Sequence, residues 1–331
     1  MKKILIAIII ILCCGCSKSS YDGEVNVLNW SSYIPNEVIR DFEKQYNIKV
    51  NYGTYSSNEE LLAKISSSNE GTYDVIFPSD YMVELMINRN MLESIIKSKI
   101  PNYQNINPLF LNQKFDLNNN YSLPFLAATT VITINRNNIH DSINGYNDLF
   151  RPEYKNNIVL LDDQRIVIGM ALQASGYYMN DTLDEHLEKA KDFLLRLNKN
   201  IKAFDSDSPK TFLITKEVDL GVMWNAEAII AKENNPNIEI LYPAEGFAIS
   251  LDNYCIVKGS KNKDNAYKFI NYLLENEVNK KITDEYPYIN TTIYNANVNN
   301  MELEYVLSNA TYVENIGSNI SKFDKIWAEI K

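Results

Sequence analysis

The 331-residue chain carries 42 acidic against 32 basic side chains, a formal net charge of −10. An acidic balance of this size disfavours nucleic acid and anionic lipid surfaces as partners, and it steers cationic ones toward the protein. With 45% hydrophobic residues the chain can bury a full core, and at roughly 150 residues per domain its length predicts two units.

Lys2 and Lys3 precede an unbroken apolar run over residues 4–12, followed by Leu12-Cys13-Cys14-Gly15-Cys16. The run is too short to cross a bilayer, which needs about 20 apolar residues. A basic start, a short apolar core and small exit residues read as a secretory signal. The motif resembles a bacterial lipobox, with Cys13 where leucine is usual. That resemblance implies a signal peptide over 1–16, acylation of Cys16 and a polar tether over 17–23. It would place the protein on the periplasmic or cell-surface side of a membrane, lipid-anchored at Cys16. Only Cys255 remains further on, so no intrachain disulfide is expected even in an oxidising compartment.

Strand and helix signals then alternate. A short buried strand over 25–28 leads to a helix over 35–46, with Pro35 opening a stripe of Val38, Ile39, Phe42 and Tyr46. A strand over 48–55, a helix from Asn58 as cap to about Ser67, a strand over 73–77 and a helix over 81–88 follow. This order predicts a mostly parallel sheet with right-handed crossovers. The pattern restarts with a strand over 158–161, helices over 166–175 and 183–197, a strand over 220–223 and a helix over 226–234. Beyond these lie a strand over 254–257, a helix capped by Asp264 and reaching Glu275, and a terminal helix over 322–330. The expected fold is therefore α/β and two-lobed, each lobe a sheet flanked by helices. Lobe 1 is expected over 24–132 and 248–300, and lobe 2 over 133–247 and 301–331.

In open α/β sheets, ligands collect beyond the carboxyl ends of the strands. Trp30 and Trp224 each follow a strand directly, with Tyr33 and Glu227 three residues on. The third strand ends in Pro78-Ser79-Asp80-Tyr81, the strand over 158–161 ends in Asp162-Asp163, and Asp252 precedes the strand over 254–257. Taken singly, each has a bland explanation. A tryptophan packs a core, Asp162 or Asp163 caps a helix, and Glu227 complements a helix dipole. Together they supply ring faces for a cation, at ~0.5–2 kcal/mol per ring, and carboxylates for charge-assisted hydrogen bonds to N–H donors. That set suits an alkyl ammonium ion with apolar stems.

The order of these motifs resembles the periplasmic spermidine/putrescine-binding proteins of bacterial ABC polyamine importers. The likeness runs from about Val25 to Glu285 and is carried by Asn29-Trp30-Ser31-Ser32-Tyr33-Ile34-Pro35 and Tyr73-Asp74-Val75-Ile76-Phe77-Pro78-Ser79. Arg151-Pro152-Glu153-Tyr154-Lys155, Leu161-Asp162-Asp163, Ala203-Phe204-Asp205-Ser206-Asp207 and Val222-Met223-Trp224-Asn225 extend it. It implies a hinged, two-lobed periplasmic-binding-protein fold that clamps putrescine or spermidine and delivers it to an inner-membrane ABC permease. By the same resemblance, Trp30, Ser31, Tyr33, Ser79 and Tyr81 are first-lobe contacts. Asp163 binds an amine, Ser206 donates a hydroxyl, Trp224 stacks, Asp252 holds the opposite amine and Tyr288 closes that side. A monomer without cofactor or metal is implied.

Three departures stand out. Ile166 replaces a family glutamate, Ser250 replaces a family aromatic, and Glu227 sits where putrescine-preferring relatives carry an aspartate. Two other functions compete. An exported glycoside hydrolase would use paired carboxylates, and a choline- or betaine-type binder would use rings alone. His140 reads as a surface group and His186 as solvated. No nucleophile elbow, phosphate loop or histidine-rich metal spacing is present, so no enzyme is expected. Asp163 and Asp252, on opposite lobes, favour a ligand charged at both ends.

Overall fold

The computed structural model describes residues 21–293 and 300–331. The signal segment, Cys16 and the first part of the tether lie outside the described residues. The first unit runs through β1 (Gly23–Trp30), α1 (Asn36–Tyr46), β2 (Ile48–Tyr55), α2 (Asn58–Ser67), β3 (Val75–Ile76) and α3 (Asp80–Asn88). β1 pairs in parallel with β2 and β3, as helical crossovers require. Local chemistry shifts two caps. Pro35 occupies the N-cap of α1. Ser57, not Asn58, caps α2 by accepting the Glu60 N–H at 3.1 Å, so the Asn58 amide turns instead to the Ser79 hydroxyl.

The largest departure from expectation is β4 (Ser122–Asn135), buried at every position. Up to Thr129 it runs antiparallel to a later strand, and from Thr130 onward it belongs to the second sheet. At that switch the backbone is held by side chains. Asn225 Oδ1 accepts the Thr129 N–H, and Thr130 Oγ1 accepts the Ala248 N–H, both at 3.0 Å. A strand covered on both faces shows no alternation of apolar and polar residues, and β4 leaves no such mark in the sequence.

The second unit comprises β5 (Ile158–Leu160), α4 (Gln164–Ala174), α5 (Asp184–Leu197), β6 (Ile201–Phe204), α6 (Lys210–Ile214), β7 (Leu220–Trp224), α7 (Asn225–Asn234) and β8 (Ile238–Leu241). Here β5 pairs in parallel with β6 and β7, while β4 runs antiparallel to β7 and β8. The chain returns through β9 (Phe247–Ile256), the antiparallel partner of β3 and of the first half of β4. Each sheet is thus parallel where helices connect the strands, and the two long strands β4 and β9 make the whole mixed. Asp252 lies inside β9 rather than ahead of a strand at 254–257.

Then follow α8 (Lys263–Leu273), α9 (Asn276–Glu285), β10 (Ile289–Asn290), α10 (Asn300–Asn309), β11 (Ala310–Tyr312) and α11 (Ile320–Ile330). Asn262, not Asp264, occupies the N-cap of α8, and Asp264 pairs with Lys99 at 2.7 Å. Leu303 and Val306 pack with Phe110, Ala127 and Phe247, and β11 pairs with β9, so this stretch sits on the first lobe. Phe323, Ile326 and Ile330 of α11 instead join the core beneath α4 and α5. The packing therefore passes to the second lobe after β11 rather than at residue 301. Val25, Val38, Phe42, Phe269 and Ile270 anchor the core of the first lobe. Each such buried side chain contributes ~1.5–3 kcal/mol relative to exposure.

Candidate ligand-binding cleft

β1 delivers Trp30 to its carboxyl end. The indole N–H donates to the Phe77 carbonyl at 2.9 Å, and the ring lies 4.6 Å from that of Tyr55, so the indole is held on two sides. Ser31 follows in an exposed turn, and Ser32 adopts a left-handed φ of 56°. Tyr33 then packs with its ring 4.6 Å from Tyr288 and 6.3 Å from Trp30. Ser79 sits between β3 and α3 and forms an isolated bridge with Asp252. Tyr81, one turn on, donates its hydroxyl to Glu59 at 3.1 Å.

From the second lobe, Asp163 caps α4. Its Oδ1 accepts the N–H groups of Arg165 at 2.8 Å and Ile166 at 3.2 Å. Asp163 is thus both a cap and a cleft carboxylate, because capping uses one oxygen only. Asp162 is exposed and pairs with Lys331 at 2.5 Å. Ser206 follows β6, and its hydroxyl is buried without a hydrogen-bond partner. Trp224 closes β7 and packs against apolar clusters of both lobes.

All the expected site residues, Trp30, Ser31, Tyr33, Ser79, Tyr81, Asp163, Ser206, Trp224, Glu227, Asp252 and Tyr288, line one cleft of about 260 Å³. Ile166, from α4, and Ser250, from β9, line it as well. One expectation changes in kind. Both carboxylate oxygens of Glu227 accept from the Lys210 ammonium, at 2.9 and 2.7 Å, so Glu227 is not an unpaired acid.

The carboxylates respond to burial. Asp252 is 3% exposed, and desolvation pushes its pKa up to about 7, although hydrogen bonding with Tyr33 and Trp30 pulls it down. Asp163 is raised as well, by burial first and by the Glu59 charge, while its capping N–H groups oppose the shift. Behind the cleft, burial lifts Asp80 well above the ordinary carboxylate range and the charge of Asp252 adds to this, against the N–H groups of Tyr81 and Leu251. A buried carboxylate without a counter-charge is costly, and a cation relieves that cost.

Among the lining residues that sequence reasoning misses are Tyr55, Glu59, Arg165 and Trp327. Glu59 is visible only as an acid in a first helical turn. Arg165 is a buried guanidinium, bonded to Asn180 Oδ1 and the Glu314 carbonyl at 2.9 Å each, with its plane 5.8 Å from the Tyr81 ring. Trp327 arrives on α11 and packs edge-on to Phe204 at 5.2 Å. His186, expected to be solvated, is half-buried outside the cleft, 2.6 Å from Asp181 and stacked on Tyr177 at 3.8 Å. His140 is exposed. Among the described residues, no group of three or more histidine, cysteine or acidic side chains is arranged to hold a metal, and no helix is long and apolar enough to cross a membrane.

Residues 37–300 match the family of bacterial extracellular solute-binding proteins. The spermidine/putrescine-binding periplasmic protein of Salmonella typhimurium is 39% identical over 261 residues, covering 78% of this chain and 75% of that protein. The spermidine/putrescine ABC transporter substrate-binding protein PotD of Streptococcus pneumoniae superposes with a TM-score of 0.80 at 30% identity, covering 93% of this chain and 98% of that one. The Tp0655 (TpPotD) lipoprotein of Treponema pallidum gives a TM-score of 0.84 at 27% identity, covering 93% and 99%.

Proposed function

The chain belongs to the bacterial extracellular solute-binding proteins, and from that premise we propose that it captures a polyamine in the cleft between its lobes and delivers it to an ABC permease. The observation that carries this reading is the convergence of rings and acids from both lobes on one cleft, with Asp252 and Asp163 contributed by different sheets. The methylene chain lies along Trp30, Tyr33, Trp224 and Tyr288, each ring contributing ~0.5–2 kcal/mol toward a nearby ammonium. One ammonium meets Asp252 and another meets Asp163, with charge-assisted hydrogen bonds at both. Ser31, Ser79, Tyr81 and Ser206 supply further polar contacts. A quaternary amine would leave one of the two carboxylates uncompensated. No chemical step on the ligand is part of this function.

Lobe closure would bend the chain where β4 changes sheets, at Thr129 and Thr130, with lobe 1 over 24–132 and 248–312 and lobe 2 over 133–247 and 313–331. The protein acts as a monomer held on the periplasmic or cell-surface side of a membrane by an acylated Cys16. Substituting Cys16 with serine would release it into the soluble fraction. Titration calorimetry with putrescine, spermidine and spermine tests the central reading. Micromolar binding, about −8 kcal/mol, supports it, and the absence of heat at millimolar amine discards it.

A further inference from the structure

The three acids expected to meet the ligand, Asp163, Glu227 and Asp252, would ordinarily mean one with three ammonium groups, but the local charge balance differs. Around Asp163 stand Glu59 and the buried Arg165 guanidinium, two negative charges against one positive. Asp252 is hydrogen-bonded with Tyr33 and Trp30, and the Tyr288 hydroxyl feels the charges of both Asp252 and Glu227. There the Glu227 carboxylate is clasped by Lys210, whose ammonium reaches both oxygens and whose side chain is 23% exposed against 11% for Glu227. Both residues come from the second lobe, Lys210 opening α6 and Glu227 in the first turn of α7. The pair is therefore built into one lobe and does not depend on closure. Leaving aside the exposed Asp162, paired with Lys331, the exposed Asp207 and the buried Asp80 behind the cleft, each group of side chains is left with one net negative charge for the ligand.

We propose that Lys210 is a resident ammonium that fills the third carboxylate and makes the cleft selective for a diamine over a triamine. This rests on the polyamine function proposed above and goes beyond it by assigning the charge count to one residue outside the cleft lining. A triamine must either leave its third ammonium among rings or displace Lys210. Displacement breaks a desolvated ion pair, which costs more than breaking an exposed one. Without the Lys210 charge, Glu227 becomes a third acceptor that a diamine already held at Asp163 and Asp252 cannot fully use.

Calorimetric titration of putrescine and spermidine into the wild type, Lys210→Met, Lys210→Gln and the double variant Lys210→Met/Glu227→Gln tests this. Methionine keeps the apolar stem, and glutamine keeps a hydrogen-bond donor without the charge, so a folding defect in one leaves the other usable. Both single variants are expected to move the spermidine-to-putrescine affinity ratio upward by about tenfold, ~1.4 kcal/mol. The double variant is expected to lose that gain, because the freed acceptor is gone. A wild type that binds polyamines, with single variants whose ratio moves less than about threefold, overturns the role of Lys210 and leaves the polyamine function standing. A wild type that binds neither amine overturns that function, and the selectivity inference falls with it.

Discussion

Ser79 and Asp252 form an isolated antiparallel bridge, although one lies in the loop after β3 and the other in the middle of β9. The Asn253 N–H donates to the Pro78 carbonyl at 2.9 Å beside it. These contacts fix the Asp252 backbone, and hydrogen bonding with Tyr33 and Trp30 holds its buried carboxylate in the cleft. Replacing it with asparagine removes the counter-charge of a bound ammonium while keeping the shape. Asp252→Asn is expected to weaken putrescine binding about 100-fold, ~3 kcal/mol, while the thermal midpoint at pH 8 rises or holds. Calorimetry and thermal unfolding on the same sample check both halves. Unchanged affinity would exclude Asp252 from the site.

The raised pKa of Asp252, about 7, gives binding a definite pH dependence. Below that value the free protein holds a neutral acid, which must lose its proton to pair with an ammonium. Affinity is therefore expected to rise about tenfold per pH unit from pH 5 toward 7 and to level off above, with a proton released on binding. The stability of the free protein runs the other way. A group whose pKa is higher folded than unfolded stabilises at low pH, and that contribution is lost as pH rises. Between the ordinary carboxylate value near 4 and about 7, this one group removes up to ~4 kcal/mol. Titrations in buffers of different ionisation enthalpy would detect the released proton. Asp252→Asn should reduce it, leaving the smaller contribution of Asp163.

The crossover units of both lobes are legible because short apolar strands, amphipathic helices and their flanking caps each leave a local pattern. The cleft acids and rings are legible for a related reason: strand ends point where a βαβ sheet binds ligands. What escapes is set by contacts between distant segments. Asp252 reads as a residue before a strand because aspartate is depleted inside strands, and only the partner strands β3 and β4 show that it lies within one. The Lys210–Glu227 pair joins α6 to the first turn of α7, and nothing in either segment alone announces it. Trp327 reaches the cleft because α11 folds back on the second lobe, a placement that no periodicity in 320–330 encodes.

Asp74 tests what holds the first lobe together. It is fully buried, and its carboxylate gathers the Asn26 N–H at 2.7 Å, the Ser260 hydroxyl at 2.6 Å and the Asn262 N–H at 3.2 Å. The side-chain amides of Asn26 and Asn262 add bonds at 3.0 and 3.1 Å. Removing the acceptor strands several buried donors at once. Asp74→Ala is expected to cost ~3–5 kcal/mol, read as a lower denaturant midpoint. Putrescine affinity, measured below that transition, should change little, since Asp74 lies outside the cleft.

Ile166 tests whether the α4 wall reads the length and charge of the amine. It is 3% exposed, lies in the first turn of α4 and lines the cleft next to Arg165. Ile166→Glu places a carboxylate there, where the helix N-terminus and the Arg165 guanidinium both favour negative charge. It also removes an apolar contact with the cluster around Val159 and Leu213, so a modest loss of thermal stability, ~1–2 kcal/mol, accompanies it. The expected gain is for spermidine over putrescine, about tenfold in the affinity ratio. Because Ile166 belongs to the Asp163 group and Lys210 to the Glu227 pair, the two substitutions share no partner. Spermidine nevertheless brings only one ammonium more than putrescine, so the two new acceptors compete for it and their effects on the logarithm of that ratio should fall short of the sum. Competition titrations of the single and double variants decide it: an unchanged rank order for Ile166→Glu would mean that this wall does not meet the third ammonium, and full additivity would mean that the two residues do not act through that one ammonium.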